Sequence, residues 1–288
     1  MKEFTFRILA GANIATIIVM LLIGFSDRIN PTAHPLIANL GLLFPAFLVA
    51  NLAFLAFWLM FRVKWALIPV AGLLIGFQPI RIYTPFNRNA ATPEGSIKVM
   101  SYNVFYFSTW DDTAQPSEIL SYIKRQNPDI LCMQEFGSTG RKREIADSTL
   151  SAFYPHHDSA DSPEGGDEIC IYSRFPIVGK EKIAYKSKGN NSAAFRVVTA
   201  KGDTTIVVVN HFETTGLSLD DRSKFHAMMK GDIRNREAER ESRRLWYKLG
   251  EASAIRAPQA DAVAEYVERH KGQSIILVGD FNDSPISY

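Results

Sequence analysis

Charge is missing from three long stretches near the start of the chain, and that absence most constrains what it can fold into. Residues 8–26, 35–61 and 65–80 run 19, 27 and 16 positions without Asp, Glu, Lys or Arg. A helix that crosses a bilayer needs roughly 20 predominantly apolar residues, with a working range of about 17–25. The first two stretches meet that length. The third is short, but Phe61, Trp65 and Tyr83 around it are placed as interfacial aromatics. A cleaved signal peptide is the competing reading of the first stretch. Against it, no small-residue cleavage site follows cleanly and another long apolar run comes next. The sequence therefore predicts a membrane anchor over residues 1–82, with three transmembrane helices at 8–26, 36–61 and 65–81.

Basic residues orient the anchor. Lys2 and Arg7 precede the first span, and Arg62 and Lys64 lie between the second and third. Both segments face the cytoplasm by the positive-inside rule, and Asp27 and Arg28 in the other loop give little opposition. Three spans place everything after residue 81 on the outer face, whereas two would leave it in the cytoplasm.

Residues 83–95 hold two prolines and little periodicity, and read as a linker. The remainder, 96–288, has the mixed composition of a globular domain. Residues 91–288 carry 25 basic and 28 acidic side chains, a net charge of −3. That is not the basic footprint of a domain built mainly to grip nucleic-acid backbone, so charge does not support nucleic acid as a partner. Cys132 and Cys170 each lie in an apolar run and read as small core hydrophobes rather than a disulfide.

Strand and helix patterns alternate along this domain. Residues 97–104, 129–134, 168–173, 193–200, 205–210 and 274–279 read as strands, the fourth and fifth joined by a Lys201-Gly-Asp turn. Residues 115–126 place Ile119, Leu120 and Ile123 on one helical face and stop at Asn127-Pro128. A charged helical region covers 232–249, and a second helix, 258–270, puts Ala260, Val263, Ala264 and Val267 on one side. The order is α/β.

Polar side chains gather where strands end: Asn103, Glu135, His211, and the pair Asp280 and Asn282. Loops at strand ends converge on crevices in such sheets. Carboxylate and amide oxygens suit a hard cation such as Mg²⁺, and a histidine beside it can donate to a phosphoryl oxygen or move a proton. Singly, each is ordinary turn, cap or surface chemistry; four such endings in this order are not.

Taken together, Ser-Tyr-Asn-Val (101–104), Pro-Asp-Ile-Leu-Cys-Met-Gln-Glu (128–135), Tyr-Ser-Arg-Phe-Pro-Ile (172–177), Val-Val-Asn-His-Phe (208–212) and Gly-Asp-Phe-Asn-Asp-Ser-Pro (279–285) resemble successive signature blocks of the endonuclease/exonuclease/phosphatase superfamily. Arg-Ala-Pro-Gln-Ala (256–260) resembles a membrane-anchored bacterial branch of it. The resemblance implies a four-layered α/β sandwich, two packed sheets with helices outside, and Mg²⁺-dependent (or Mn²⁺-dependent) hydrolysis of a phosphodiester. It implies Glu135 as principal metal ligand with Asn103 completing or supporting that site. Asp280 and Asn282 would orient the attacking water and the phosphate, with Asp280 a candidate general base. His211 would contact the phosphoryl group. Nucleic acid, a lipid and a small phosphoester all remain open as substrate, and the bacterial likeness implies a domain on the periplasmic face of an inner membrane.

Two departures stand out. Some relatives carry an acidic ligand two residues after the first asparagine, where this chain has Phe105. The family pattern also continues into a Ser-Asp-His-type motif that has no counterpart before Tyr288, so the domain is expected to lack its C-terminal end. That motivates the alternative of an inactive, membrane-anchored scaffold. His156 and His157 read as solvated loop residues, His226 lacks partner spacing, and His270 suits a helix end.

Overall fold

The structure, a computed structural model, describes residues 2–87, 90–107, 117–137, 140–162, 165–230 and 235–288. The chain divides into two compact units. One comprises Met1–Ala90, Thr215–Ala257 and Asp283–Tyr288; the other comprises Ala91–Thr214 and Pro258–Asn282.

The first unit opens with the apolar helices. α1 spans Lys2–Gly24, a short α2 Pro35–Ala38, and α3 Phe44–Phe61. Residues 3–24 and 35–61 are each long and apolar enough to cross a membrane. The third stretch is two helices, α4 Leu67–Ile75 and α5 Phe77–Tyr83, bent by 64° where Gly76 interrupts them. Gly72 lets α4 approach α1 closely: a Cβ there would lie 2.7 Å from the Ile17 side chain. Polar groups among these helices satisfy one another. Asn13 donates to Asn51 at 3.1 Å, and Trp58 Nε1 donates to Asn13 at 3.1 Å. At one end Arg62 pairs with Glu3.

The same unit contains later chain. α8 covers Leu219–Lys230, and α9 runs Asn235–Arg269 with Pro258 inside it. Trp246 Nε1 donates to the Leu36 carbonyl at 3.1 Å, and Ser253 Oγ donates to Asn39 Oδ1 at 2.9 Å. Arg256, nearly buried, forks onto Asp283 at 2.6 and 3.0 Å. Ile286 inserts into an apolar cluster with Met20, Ile23 and Phe44.

The second unit is a sandwich of two four-stranded sheets. β1 Val99–Asn103, β2 Ile130–Gln134, β3 His156–Asp161 and β4 Glu168–Ser173 form one, in the order β1-β2-β4-β3. β5 Ile177–Ile183, β6 Asn191–Val198, β7 Thr204–His211 and β8 Ser274–Asp280 form the other, in that order. The β1–β2 and β7–β8 pairs are parallel and the rest antiparallel.

Period-two alternation builds the layers. Ile130, Cys132, Ile169 and Ile171 point inward to meet Ala193, Phe195, Val207 and Val209 from the other sheet. Leu131, Met133, Cys170 and Tyr172 point outward onto helices α6, Glu118–Gln126, and α7, Arg141–Ser151, through Leu120, Ile123, Ala146 and Leu150. Ile206 and Val208 point outward onto Val263 and Tyr266 of α9. This is the expected four-layered sandwich. Both cysteines are free and buried in it. Phe195, fully buried between the sheets, is expected to cost about 3–5 kcal/mol when cut to alanine, read as a lowered denaturation midpoint.

Three local expectations differ from the structure. His156 and His157 open edge strand β3 instead of lying in a loop, with the His157 ring stacked 5.3 Å from Tyr172. Its polar composition hides a strand that the ladder to β4 nonetheless pairs throughout. Residues 177–183 form β5 without being anticipated. The two helices expected at 232–249 and 258–270 are one, because Pro258 forfeits one backbone bond without breaking the helix. Residues 88–89 of the linker, 115–116 of the first expected helix and 232–234 of the charged region lie outside the described residues.

Candidate active site

The parallel pairings β1–β2 and β7–β8 bring four strand ends into register. Asn103 lies opposite Gln134, one residue before Glu135, and His211 lies opposite Asp280. Gly279 makes the second alignment possible. Its φ is +148°, and a Cβ would fall 2.0 Å from the Asn210 carbonyl oxygen, so only glycine fits between the two strands. Asn210 Nδ2 donates to Val278 O at 2.9 Å, the Phe212 amide to Asp280 O at 2.9 Å, and Asn282 Nδ2 to Phe212 O at 3.0 Å. The β8 end is thereby laced to the β7 end.

Across the sandwich, Asn103 ties the sheets together. Its Nδ2 donates to Glu135 Oε1 at 2.9 Å and to Asp280 Oδ2 at 3.0 Å, while its Oδ1 accepts from the Phe105 amide. The amide nitrogen, not the oxygen, therefore faces the carboxylates. Asp280 Oδ1 accepts from the Asn282 backbone N–H at 3.0 Å. All five residues singled out in the sequence thus converge.

A sixth residue, Asp167, had no signal of its own. It follows Gly165-Gly166 in a loop, 44 positions from its partner. Asp167 Oδ2 lies 2.5 Å from His211 Nδ1, and Oδ1 accepts from the Glu135 amide at 2.9 Å. His211 is buried, and its Nε2 has no hydrogen-bond partner among the described residues while lying 3.6 Å from Glu135 Oε1. Burial works against charge on the ring. The Asp167 hydrogen bond, and the charges of Asp167, Glu135 and Asp280, outweigh it and raise the pKa above the ordinary value.

Backbone strain marks the same place. Glu135 has φ +52°, Asn282 +52°, and Phe105, Tyr106 and Phe107 +47°, +52° and +51°. Non-glycine residues held in this region in succession need surroundings that over-determine them, and the Tyr106 amide donates to Glu135 O at 2.7 Å. Burial, then the charges of Asp167 and Glu135, push the Tyr106 hydroxyl up to about 12. It stays protonated at neutral pH.

The donor set suits a small hard cation. No three His, Cys, Asp or Glu side chains close into a metal cage among the described residues. The site instead offers two carboxylates drawn to one amide nitrogen, beside a buried ring nitrogen with no hydrogen-bond partner among the described residues. Mg²⁺ commonly takes one or two carboxylates and leaves its other positions to water and phosphate oxygens.

Residues 100–288 match the profile of the Endonuclease/Exonuclease/phosphatase family, and residues 6–83 match a domain of unknown function. A search of curated proteins finds no match. Among solved structures, the chain is similar to D. rerio TDP2 complexed with single-strand DNA product: 15% identity, TM-score 0.42, covering 66% of this chain and 63% of that one. It is similar to an endonuclease/exonuclease/phosphatase from Beutenbergia cavernae at 19% identity and TM-score 0.34, covering 45% and 41%. It is also similar to ANGEL2, a 2′,3′-cyclic phosphatase, at 14% identity and TM-score 0.40, covering 65% and 53%. The chain spans less than two thirds of the length of each of these structures.

Proposed function

Because the chain belongs to the endonuclease/exonuclease/phosphatase family, we propose that it is a membrane-anchored, Mg²⁺-dependent phosphodiesterase. The observation that carries this reading is the meeting of Asn103, Glu135, Asp167, His211, Asp280 and Asn282 at the ends of four strands. Glu135 would be the principal ligand of the cation. When bound, Mg²⁺ or Mn²⁺ neutralises charge on a phosphoryl group and polarises it.

The protein's own groups account for the rest. His211 Nε2, aimed into the site on a ring whose protonated form the neighbouring carboxylates favour, donates to a phosphoryl oxygen and stabilises charge there as the ester bond breaks. Asp167 holds the ring in orientation through Nδ1. Asp280 accepts the proton of the attacking water, and Asn282, braced on Phe212 O, orients the phosphate. Asn103 Nδ2, donating to both, holds the Glu135 and Asp280 carboxylates at a fixed spacing. The net negative charge of residues 91–288 favours a lipid or small phosphoester over long nucleic acid. Titration of Mg²⁺ into the detergent-solubilised chain tests the metal. Binding that is lost in Glu135→Ala supports the reading, and wild-type protein that binds none favours a scaffold instead.

Contacts within the first unit support three crossings. Asn30, Leu36 and Asn39 lie between α1 and α3, near or before the start of the second apolar stretch, yet they touch Tyr288, Trp246 and Ser253, which follow the third apolar segment. If the first two helices cross the bilayer, residues 63–83 must cross it again for these groups to share a side. Arg62 pairing with Glu3 fits the opposite, cytoplasmic side. Thr32→Cys is expected to react with an impermeant maleimide from outside intact cells, and Lys64→Cys only after permeabilisation. The reverse pattern would overturn this topology.

A further inference from the structure

We propose that Gln259 and Glu213 are positioning residues for this hydrolysis, fixing both members of the His211–Asp167 pair from behind the site. The proposal rests on the hydrolase reading for its kinetic test alone; its geometry stands independently.

Gln259 belongs to the Arg-Ala-Pro-Gln-Ala run and has no solvent exposure at all. A buried primary amide must place both its donor and its acceptor, and here it spends them on two separate loops. Gln259 Oε1 accepts from the Glu213 amide at 2.8 Å, and Nε2 donates to the Lys186 carbonyl at 3.0 Å. Glu213 lies two residues beyond His211, so the first bond pins the segment that leaves β7 with the histidine.

The second loop runs to Asp167. The Glu213 carboxylate, itself nearly buried, accepts from Ser187 Oγ at 2.9 Å and from the Lys188 amide at 3.0 Å. Ser187 Oγ in turn accepts from the Asn190 amide at 2.8 Å. The loop so held presents the Gly189 carbonyl to the Asp167 amide at 3.1 Å, and Asn191 Nδ2 donates to Asp167 O at 3.1 Å. Asp167 thus has its backbone gripped on both sides while its carboxylate engages His211 Nδ1 and the Glu135 amide. One glutamine and one glutamate hold the histidine segment and the aspartate segment in a single frame. Buried polar groups connected in this way hold one another in place, and partners behind a site's first layer of groups set its geometry.

The test uses the full chain in detergent with Mg²⁺ and bis(4-nitrophenyl) phosphate, together with hydrogen–deuterium exchange of peptides covering 165–170 and 186–191. Gln259→Met keeps the volume and removes both bonds. It is expected to lower kcat by about 10–100-fold with KM held within about threefold, the size usual for partners behind a site. Exchange should rise in those two segments while β7 and β8 keep wild-type protection. Glu213→Leu should behave likewise, and Glu213→Gln, whose amide oxygen still accepts from Ser187 and Lys188, should retain most of kcat. Should Gln259→Met not fold, Ser187→Ala removes the hydroxyl that Glu213 holds and tests the same frame from its rim.

An unchanged kcat in folded Gln259→Met, or equal loss in Glu213→Gln and Glu213→Leu, would overturn the proposal. Wild-type protein with no turnover would count against the hydrolase reading, and exchange would still decide: faster exchange around Asp167 in Gln259→Met upholds the frame, and unchanged exchange refutes it.

Discussion

Replacing His211 with alanine is expected to slow phosphodiester hydrolysis by about 10²–10³-fold, the usual loss of one donor to a developing oxyanion. The size follows from burial. The ring is 1% exposed, its Nδ1 is engaged by Asp167, and its Nε2 has no partner among the described residues. A hydrogen bond offered from such a dry position is worth far more than one made in water. The loss should fall on kcat more than on KM, since the contact strengthens as charge develops. Asp167→Asn is expected to act in the same direction by loosening the ring's orientation and removing the carboxylate that favours its protonated form. Steady-state rates of the two variants beside wild type check both statements. Wild-type kcat in His211→Ala would remove the residue from the chemistry.

The second large effect concerns folding. Gly279→Ala is expected to destabilise the sandwich by more than about 4 kcal/mol, a size reserved for a few mechanisms such as a severe backbone clash. The added methyl would sit 2.0 Å from Asn210 O and 2.8 Å from Asn210 N, both backbone atoms of the paired strand β7, at a φ of +148°. No side-chain rotation relieves that contact. The β7–β8 register must slip, and with it the alignment of Asp280 on His211. A loss of soluble full-length protein, or a melting transition lowered by well over ten degrees, is the expected result. A melting point within a few degrees of wild type would mean that β8 does not pair where the register places it.

Strands buried on both faces announced themselves. Residues 130–134, 168–173 and 205–209 are short apolar runs whose alternate members serve two different cores, and such runs have few other ways to be buried. β3 carried no such pattern, because an edge strand needs only one covered face and here presents His, Asp and Ser. α9 misled in the opposite direction: Pro258 reads as the start of a second helix, yet one helix runs through it, with Arg256 and Gln259 anchored on either side.

The candidate site was legible in part for a related reason. Asn103, Glu135, His211, Asp280 and Asn282 each end a strand within a recognisable block, so their shared neighbourhood follows from sheet pairing. Asp167 sits in a loop with no block around it, and only the tertiary fold reveals its contact with His211. The frame behind the pair was equally hidden. Gln259 lies in the Arg-Ala-Pro-Gln-Ala run, which assigns it no role, Glu213 looks like an ordinary surface-type residue, and only burial and hydrogen bonding expose what the two do. Likewise, no periodicity announces that residues 246–253 and 286 pack with the apolar helices, since a handful of separate contacts does the joining.

The central claim is that Glu135 holds a cation that serves phosphodiester hydrolysis, and one measurement reaches it most directly. Full-length protein in detergent is assayed on bis(4-nitrophenyl) phosphate with Mg²⁺, with excess chelator, and as Glu135→Ala in Mg²⁺. The account predicts turnover in the first condition alone, with loss of about a thousandfold or more in the other two. Turnover that survives in Glu135→Ala, or a folded wild-type chain that turns over nothing with Mg²⁺ or Mn²⁺, would contradict it.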